Sequence, residues 1–194
     1  RFLLGAITLD LFAVMLAGAT ALLPVYARDI LLVGSEGLGW LRGAPAAGAT
    51  LMALWFSFRP LQHNVGVKML WAVVVFGLAT IVFGLSKNYW LSLGAMSVLG
   101  AADMLSVYVR SSLVQLNTPD DMRGRVGAVS SLTISGSNEL GELQSGFAAA
   151  LLGPVGAVVF GGVGAIFVTA LWAKLFPELK NAKTFEPQFR KTSQ

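Results

Sequence analysis

Six apolar runs, each close to the roughly 20 residues that a helix needs to cross a bilayer, divide this chain between them. They cover 2–27, 38–58, 67–85, 89–109, 126–152 and 155–176. Inside lipid, backbone N–H and C=O groups find no water, so runs of this length fold as helices whose hydrogen bonds close within themselves. The expected fold class is an all-α membrane protein, with a six-helix transmembrane bundle over 1–177 and a polar cytoplasmic tail over 178–194. Only 12% of the residues are charged, where soluble domains carry about 25%.

The basic residues set an orientation. If Arg1 is cytoplasmic, so are Arg59, Lys68, Arg110, Arg123, Arg125, Lys174, Lys180, Lys183, Arg190 and Lys191. Arg28, Arg42 and Lys87 are left on the outer side. Eleven of the 14 basic residues therefore lie inside, which places both termini in the cytoplasm. Trp40, Trp55, Trp71, Tyr89, Trp90 and Trp172 stand near the ends of the runs, where interfacial aromatics belong. The net charge of +4 is a loop property of this kind, and no aromatic-basic stripe points to nucleic acid.

Several chemistries are excluded. The chain has no cysteine and one histidine, His63, so disulfides, thiolate sites and a histidine zinc site are out. No cofactor or metal site is expected. The opening residues lack the basic start, short apolar core and cleavage site of a signal peptide. A chain that begins Arg-Phe reads as a fragment or as trimmed at its amino end.

The fifth run is the unusual one. Glu139 lies midway along it. At the helical step of about 100° per residue, Ser131, Ser135, Asn138, Glu139 and Glu142 project in similar directions. These five polar residues share an arc of roughly 100°, which leaves out Leu132, Leu140, Leu143 and Phe147. Two carboxylates three residues apart on a membrane helix are costly unless they face a cavity or a partner. In low dielectric they do not both ionise without a cation nearby. Proton coupling or substrate contact is one reading. A structural network through Asn138 and Gln144 is the other.

Other polar groups fall into two sets. Asp103 and Arg110 share one face of the fourth run, with Ser106 between them, and Asp10 lies in the inner half of the first. They suggest an ion cluster at a cytoplasmic gate, against the plainer reading that Arg110 snorkels from the helix end. Asp120, Asp121, Arg123 and Arg125 make a charged loop, read as an inter-helix latch and a positive-inside signal. The third and sixth runs have no charge in their interiors and are suited to face lipid. Gly39-x-x-x-Gly43, Ala44-x-x-x-Gly48 and the series Gly153, Gly156, Gly161 and Gly164 permit close helix approach. Pro45 is expected to bend the second helix.

The run Thr118-Pro-Asp-Asp-Met-Arg-Gly-Arg-Val-Gly127, then Ser137-Asn-Glu-Leu-Gly-Glu-Leu-Gln-Ser-Gly146, then Leu152-Gly-Pro-Val155 and Gly161-Gly162 resembles the carboxy-terminal half of a major facilitator superfamily transporter. The similarity is to the enterobactin-exporter branch of siderophore and drug efflux proteins and extends over essentially the whole chain. It implies helices seven to twelve of a twelve-helix fold, a bundle of three plus three helices beside a central cavity, with helices nine and twelve facing lipid. It also implies export of an amphipathic organic substrate, and as partners the bilayer and an amino-terminal six-helix half or a second copy. The loop motif Gly-x-x-x-Asp-Arg-x-Gly-Arg-Arg of that superfamily has lost its acidic residue here. Only Gly66 and Lys68 of the segment 57–68 echo it, and no gating role carries over to that loop.

Other functional classes fit less well. An ATP-driven exporter also has six spans, but no Gly-x-x-x-x-Gly-Lys-Ser/Thr phosphate loop occurs. An intramembrane protease would need a Ser–His pair, a His-Glu-x-x-His site or paired aspartates. Only Asp10 and Asp103 could mimic the last. A channel would carry a filter-like loop, and none is visible.

Overall fold

The computed structural model describes residues 8–9, 11–13, 19–59, 64–116 and 118–175. Asp10, His63 and the tail lie outside the described residues. All the regular structure among the described residues is helical.

α1 is an irregular run, Ala19–Leu22 as a 3-10 turn, Leu23–Val25 as α and Tyr26–Ile30 as π. Pro24 stands at its centre and has no N–H to give, so the hydrogen-bond register changes on either side of it. The amide of Leu31 accordingly reaches back to the Tyr26 carbonyl at 2.8 Å. Tyr26 is fully buried, stacks on Phe83 at 4.6 Å and donates its hydroxyl to the Gly84 carbonyl at 2.9 Å. Tyr26→Phe removes that donor and leaves a buried carbonyl short of a partner. It is expected to cost about 1 kcal/mol, read as a lower melting temperature in detergent. Beyond it, exposed Arg28 pairs with Asp29 at 2.6 Å, and this hydrogen bond holds the Asp29 carboxyl below its ordinary range.

α2 spans Ser35–Phe58, α3 Val65–Leu85 and α4 Tyr89–Leu116. Asn64, in the left-handed region at φ 55°, leads into α3. The Asn88 side-chain oxygen caps α4 by accepting from the amides of Trp90 at 2.9 Å and Leu91 at 3.4 Å, the usual work of an asparagine before a helix. α4 runs on past the end of its apolar run at Val109. Ser111–Leu116 offers no Gly or Pro to stop it and buries Leu113, so the helix runs on to Leu116. Arg110 is therefore six residues inside the helix rather than at its end.

The stretch Arg123–Leu175 is two helices, α5 over 123–152 and α6 over 154–175, parted at Gly153 with φ 76° and ψ 167°. Only glycine enters that region readily, and Pro154 keeps its predecessor out of the helical region. The Gly-Pro break expected from the sequence is where it falls. Gly153→Ala is expected to lose about 1–3 kcal/mol of stability, measured by thermal unfolding.

The helices pack in the order α2, α4, α3, α6, with α1 lying on the Arg123–Leu175 stretch. Two contacts bring backbones together. A Cβ on Gly48 would collide with the Ser97 carbonyl, and one on Gly100 with the carbonyl of Pro45. Across α3 and α6, a Cβ on Gly77 would lie 2.8 Å from the Gly162 carbonyl, and one on Gly162 2.7 Å from that of Gly77. Such approaches hold membrane helices by dispersion, where lipid gives no hydrophobic drive. α2 stays continuous through Pro45.

The core has two layers. One gathers Leu9, Phe56, Met69, Val109, Leu113 and Ala165, and the other Leu23, Tyr26, Leu41, Phe83, Met96 and Ala157. Trp172 ties the first layer to the chain's start, donating to the Thr8 hydroxyl at 2.9 Å. α3, α4 and the Arg123–Leu175 stretch are each long and apolar enough to cross a membrane. On α3, Trp71, Val75, Leu78, Val82 and Leu85 are exposed, and on α6 Phe160, Val163, Phe167 and Leu171. At helical spacing these make two apolar stripes suited to acyl chains, on the two helices without interior charge.

Candidate functional site

α5 has three faces. Ser130, Ile134, Ser137, Gly141, Gln144 and Ser145 are buried or half-buried and turn toward the bundle. Val129, Leu132, Leu140, Leu143 and Phe147 are exposed and apolar. Between these lies the polar arc. Ser131, Ser135, Asn138, Glu139 and Glu142 are all exposed, so no described helix of this chain covers them. The i,i+3 spacing puts the Glu139 and Glu142 side chains on adjacent turns, with Cβ atoms roughly 5–6 Å apart. The side-chain amide oxygen of Gln144 is buried without a hydrogen-bond partner among the described residues, and Asn138 is exposed. The structural network that the sequence offered as an alternative therefore gains no support from these two residues.

Asp103 and Arg110 are separated by about 10 Å of helical rise and line different spaces. Asp103, half-buried, borders a small internal gap with Ala72, Phe76 and Ser106. Arg110 is only 6% exposed and borders a cavity of about 510 Å³ between the end of α4 and the start of α5. The single ion cluster expected from these two residues is thus divided between two places. The expected charged loop is divided: Asp120 and Asp121 belong to a 3-10 turn, Asp120–Met122, whereas Arg123 and Arg125 stand in the first turn of α5, and Asp121, Arg123 and Arg125 are exposed. Asp10 is outside the described residues.

Arg110 shares its cavity with Arg123, and Ser111, Gln115, Thr118, Ser130 and Ser131 line it too. Sequence reasoning had passed over Ser111, Gln115, Thr118 and Ser130. The signal was there: 111 and 115 stand one turn apart on the helix, as do Arg110 and Val114. At the other end of the helices a cavity of about 720 Å³ is lined by Glu36, Trp40, Tyr89 and Trp90, within the expected aromatic belt.

Several known proteins are similar to this chain. The enterobactin exporter EntS of Shigella flexneri is 25% identical over 190 residues, which is 97% of this chain and 46% of that protein. EntS of Escherichia coli O1:K1 is 25% identical over 188 residues, 96% of this chain and 45% of its own length. EntS of Citrobacter koseri is 28% identical over 152 residues, 77% and 36% respectively. The chain spans less than half the length of these relatives. The family described as transmembrane secretion effector matches residues 3–190. That match covers nearly the whole chain, and with it the chain belongs to the transmembrane secretion effector family of major facilitator transporters, related to the enterobactin exporters.

Proposed function

We propose that this chain forms the carboxy-terminal bundle, six helices arranged three plus three, of a proton-coupled exporter in the inner membrane with both termini cytoplasmic. Its substrate is an amphipathic organic compound, a siderophore or drug. Its partner is an amino-terminal six-helix half or a second copy, which completes the central cavity. Glu139 and Glu142, with Asn138, take up and release the coupling proton or touch substrate. Asp10 and Asp103 extend that polar path, and Arg110 with the charged loop of Asp120, Asp121, Arg123 and Arg125 closes its cytoplasmic end.

One observation carries the reading. α5 presents two carboxylates on a polar arc that this chain's other described helices leave uncovered. A membrane helix does not keep such groups against acyl chains, so the arc requires a wet cleft or a second bundle. The apolar stripes of α3 and α6 supply the lipid face that such a bundle needs.

The test is export of a fluorescent amphiphile from everted membrane vesicles. Export is expected to stop when a protonophore dissipates the gradient with ATP held constant. Export that continues unchanged contradicts proton coupling and returns the ATP-driven class to consideration.

A further inference from the structure

We propose that the cavity between α4 and α5 is an anion pocket, in which Arg110 and Arg123 hold the sulfonate, phosphate or carboxylate head of an amphiphile. As a subsite for exported substrate it rests on the exporter reading. As a binding site it does not.

The volume, about 510 Å³, lies in the range of small-molecule sites, about 300–1,000 Å³. Its ionisable lining is Arg110 and Arg123 alone, and no carboxylate borders it among the described residues. The hydroxyls of Ser111, Ser130 and Ser131 and the Gln115 amide complete a wall rich in donors, while Thr118 gives its hydroxyl proton to the Val114 carbonyl at 2.6 Å. Both arginines already make interactions within the protein. A guanidinium has five N–H donors in a fork that matches planar and tetrahedral oxyanions, so it can serve a ligand as well.

A positive-inside arginine is not built this way. It lies at a helix end and extends to water, whereas Arg110 stands six residues before the end of α4 and is buried against the cavity. The pocket is amphipathic, since Val114 and Ile134 line it beside the polar groups. It also opens onto the polar arc. Ser131 belongs to both, and Asn138 and Glu142 continue its angular sector. From Ser131 to Glu142 the rise is roughly 16 Å. A head held at the arginines thus leaves the rest of an amphiphile directed along α5 toward the carboxylates.

Two sources carry such a head, a solute to be exported and an anionic phospholipid of the cytoplasmic leaflet. The experiment uses the full chain in phosphatidylcholine nanodiscs, with 8-anilinonaphthalene-1-sulfonate as probe. N-phenyl-1-naphthylamine, which has the same rings and no sulfonate, is the neutral control. Arg123 is exposed and glutamine keeps a hydrogen-bonding side chain there, so Arg123→Gln is expected to melt close to the wild-type temperature. It is expected to weaken saturable binding of the sulfonate by about tenfold and to leave the neutral probe unchanged. A Cβ on Gly127 meets open space, so Gly127→Leu narrows the pocket without strain and is expected to weaken saturable binding.

Wild-type affinity for the sulfonate in both variants overturns the proposal, as does equal loss of both probes in Arg123→Gln. Native mass spectrometry after adding phosphatidylglycerol separates the sources. A retained phosphatidylglycerol that displaces the probe identifies the lipid as occupant, and failure to compete identifies the solute; each supports the anion pocket. Binding is read without any gradient, so a protein that binds the probe and exports nothing refutes the exporter reading alone.

Discussion

Replacing Glu139 and Glu142 together with glutamine is expected to reduce proton-driven export to that of cells lacking the protein, with normal amounts of protein in the membrane. Glutamine keeps the size and hydrogen-bonding reach of glutamate but cannot cycle a proton. Both side chains are exposed on α5, so no packing is lost, and removing two charges from a membrane helix eases its insertion. A purely structural role would give the opposite pattern, with a lower melting temperature and surviving export from whatever protein remained. Export rate, corrected for membrane content by immunoblot, separates the two. Wild-type export from the double variant contradicts the coupling role.

Gly100→Leu is expected to have the largest effect on stability. Gly48 and Gly100 let α2 and α4 touch backbone to backbone, each against a carbonyl of the other helix. A side chain at Gly100 meets the rigid Pro45 backbone rather than a flexible side chain, so the helices must separate. The loss is expected to be about 3 kcal/mol or more, a large share of the stability of a marginally stable fold. Gly94 lies on the same helix and faces open space. Gly94→Leu should therefore melt at or above the wild-type temperature, since it also gains helix propensity. Equal melting temperatures for the two variants, measured in detergent, would show that the α2–α4 contact does not hold the bundle together.

Much of this was readable from local features. The lengths of the second to sixth apolar runs located α2 to α6, because lipid allows the backbone little else. Gly153-Pro154 announced the break between α5 and α6, because both residues act on the backbone where they stand. The polar arc was readable because it lies on one helix and depends only on helical periodicity. What depends on which helices meet was harder. The pattern Ala44-x-x-x-Gly48 does lie at the α2–α4 contact, with both residues buried. Gly39 and Gly43 have the same spacing and face open space. In α6 the contact falls to Gly162, which the glycine series had left out. A glycine-rich chain offers small faces all round, and the neighbour chooses among them. The arginine cavity was missed for a related reason. Hydropathy ends the fourth span at Val109, while helix propensity and the burial of Leu113 carry α4 on to Leu116, and so Ser111 and Gln115 face α5.

The central claim is that the polar arc of α5 faces water within the membrane while its neighbouring arc faces lipid or protein. The chain has no cysteine, so single cysteines report without background from it. Ser135→Cys and Asn138→Cys on one arc, with Leu140→Cys and Phe147→Cys on the other, can be treated in intact membranes with a charged, water-soluble methanethiosulfonate. Rapid modification of the first pair and protection of the second are expected. Protection of all four, or faster reaction at 140 and 147 than at 135 and 138, would contradict that claim.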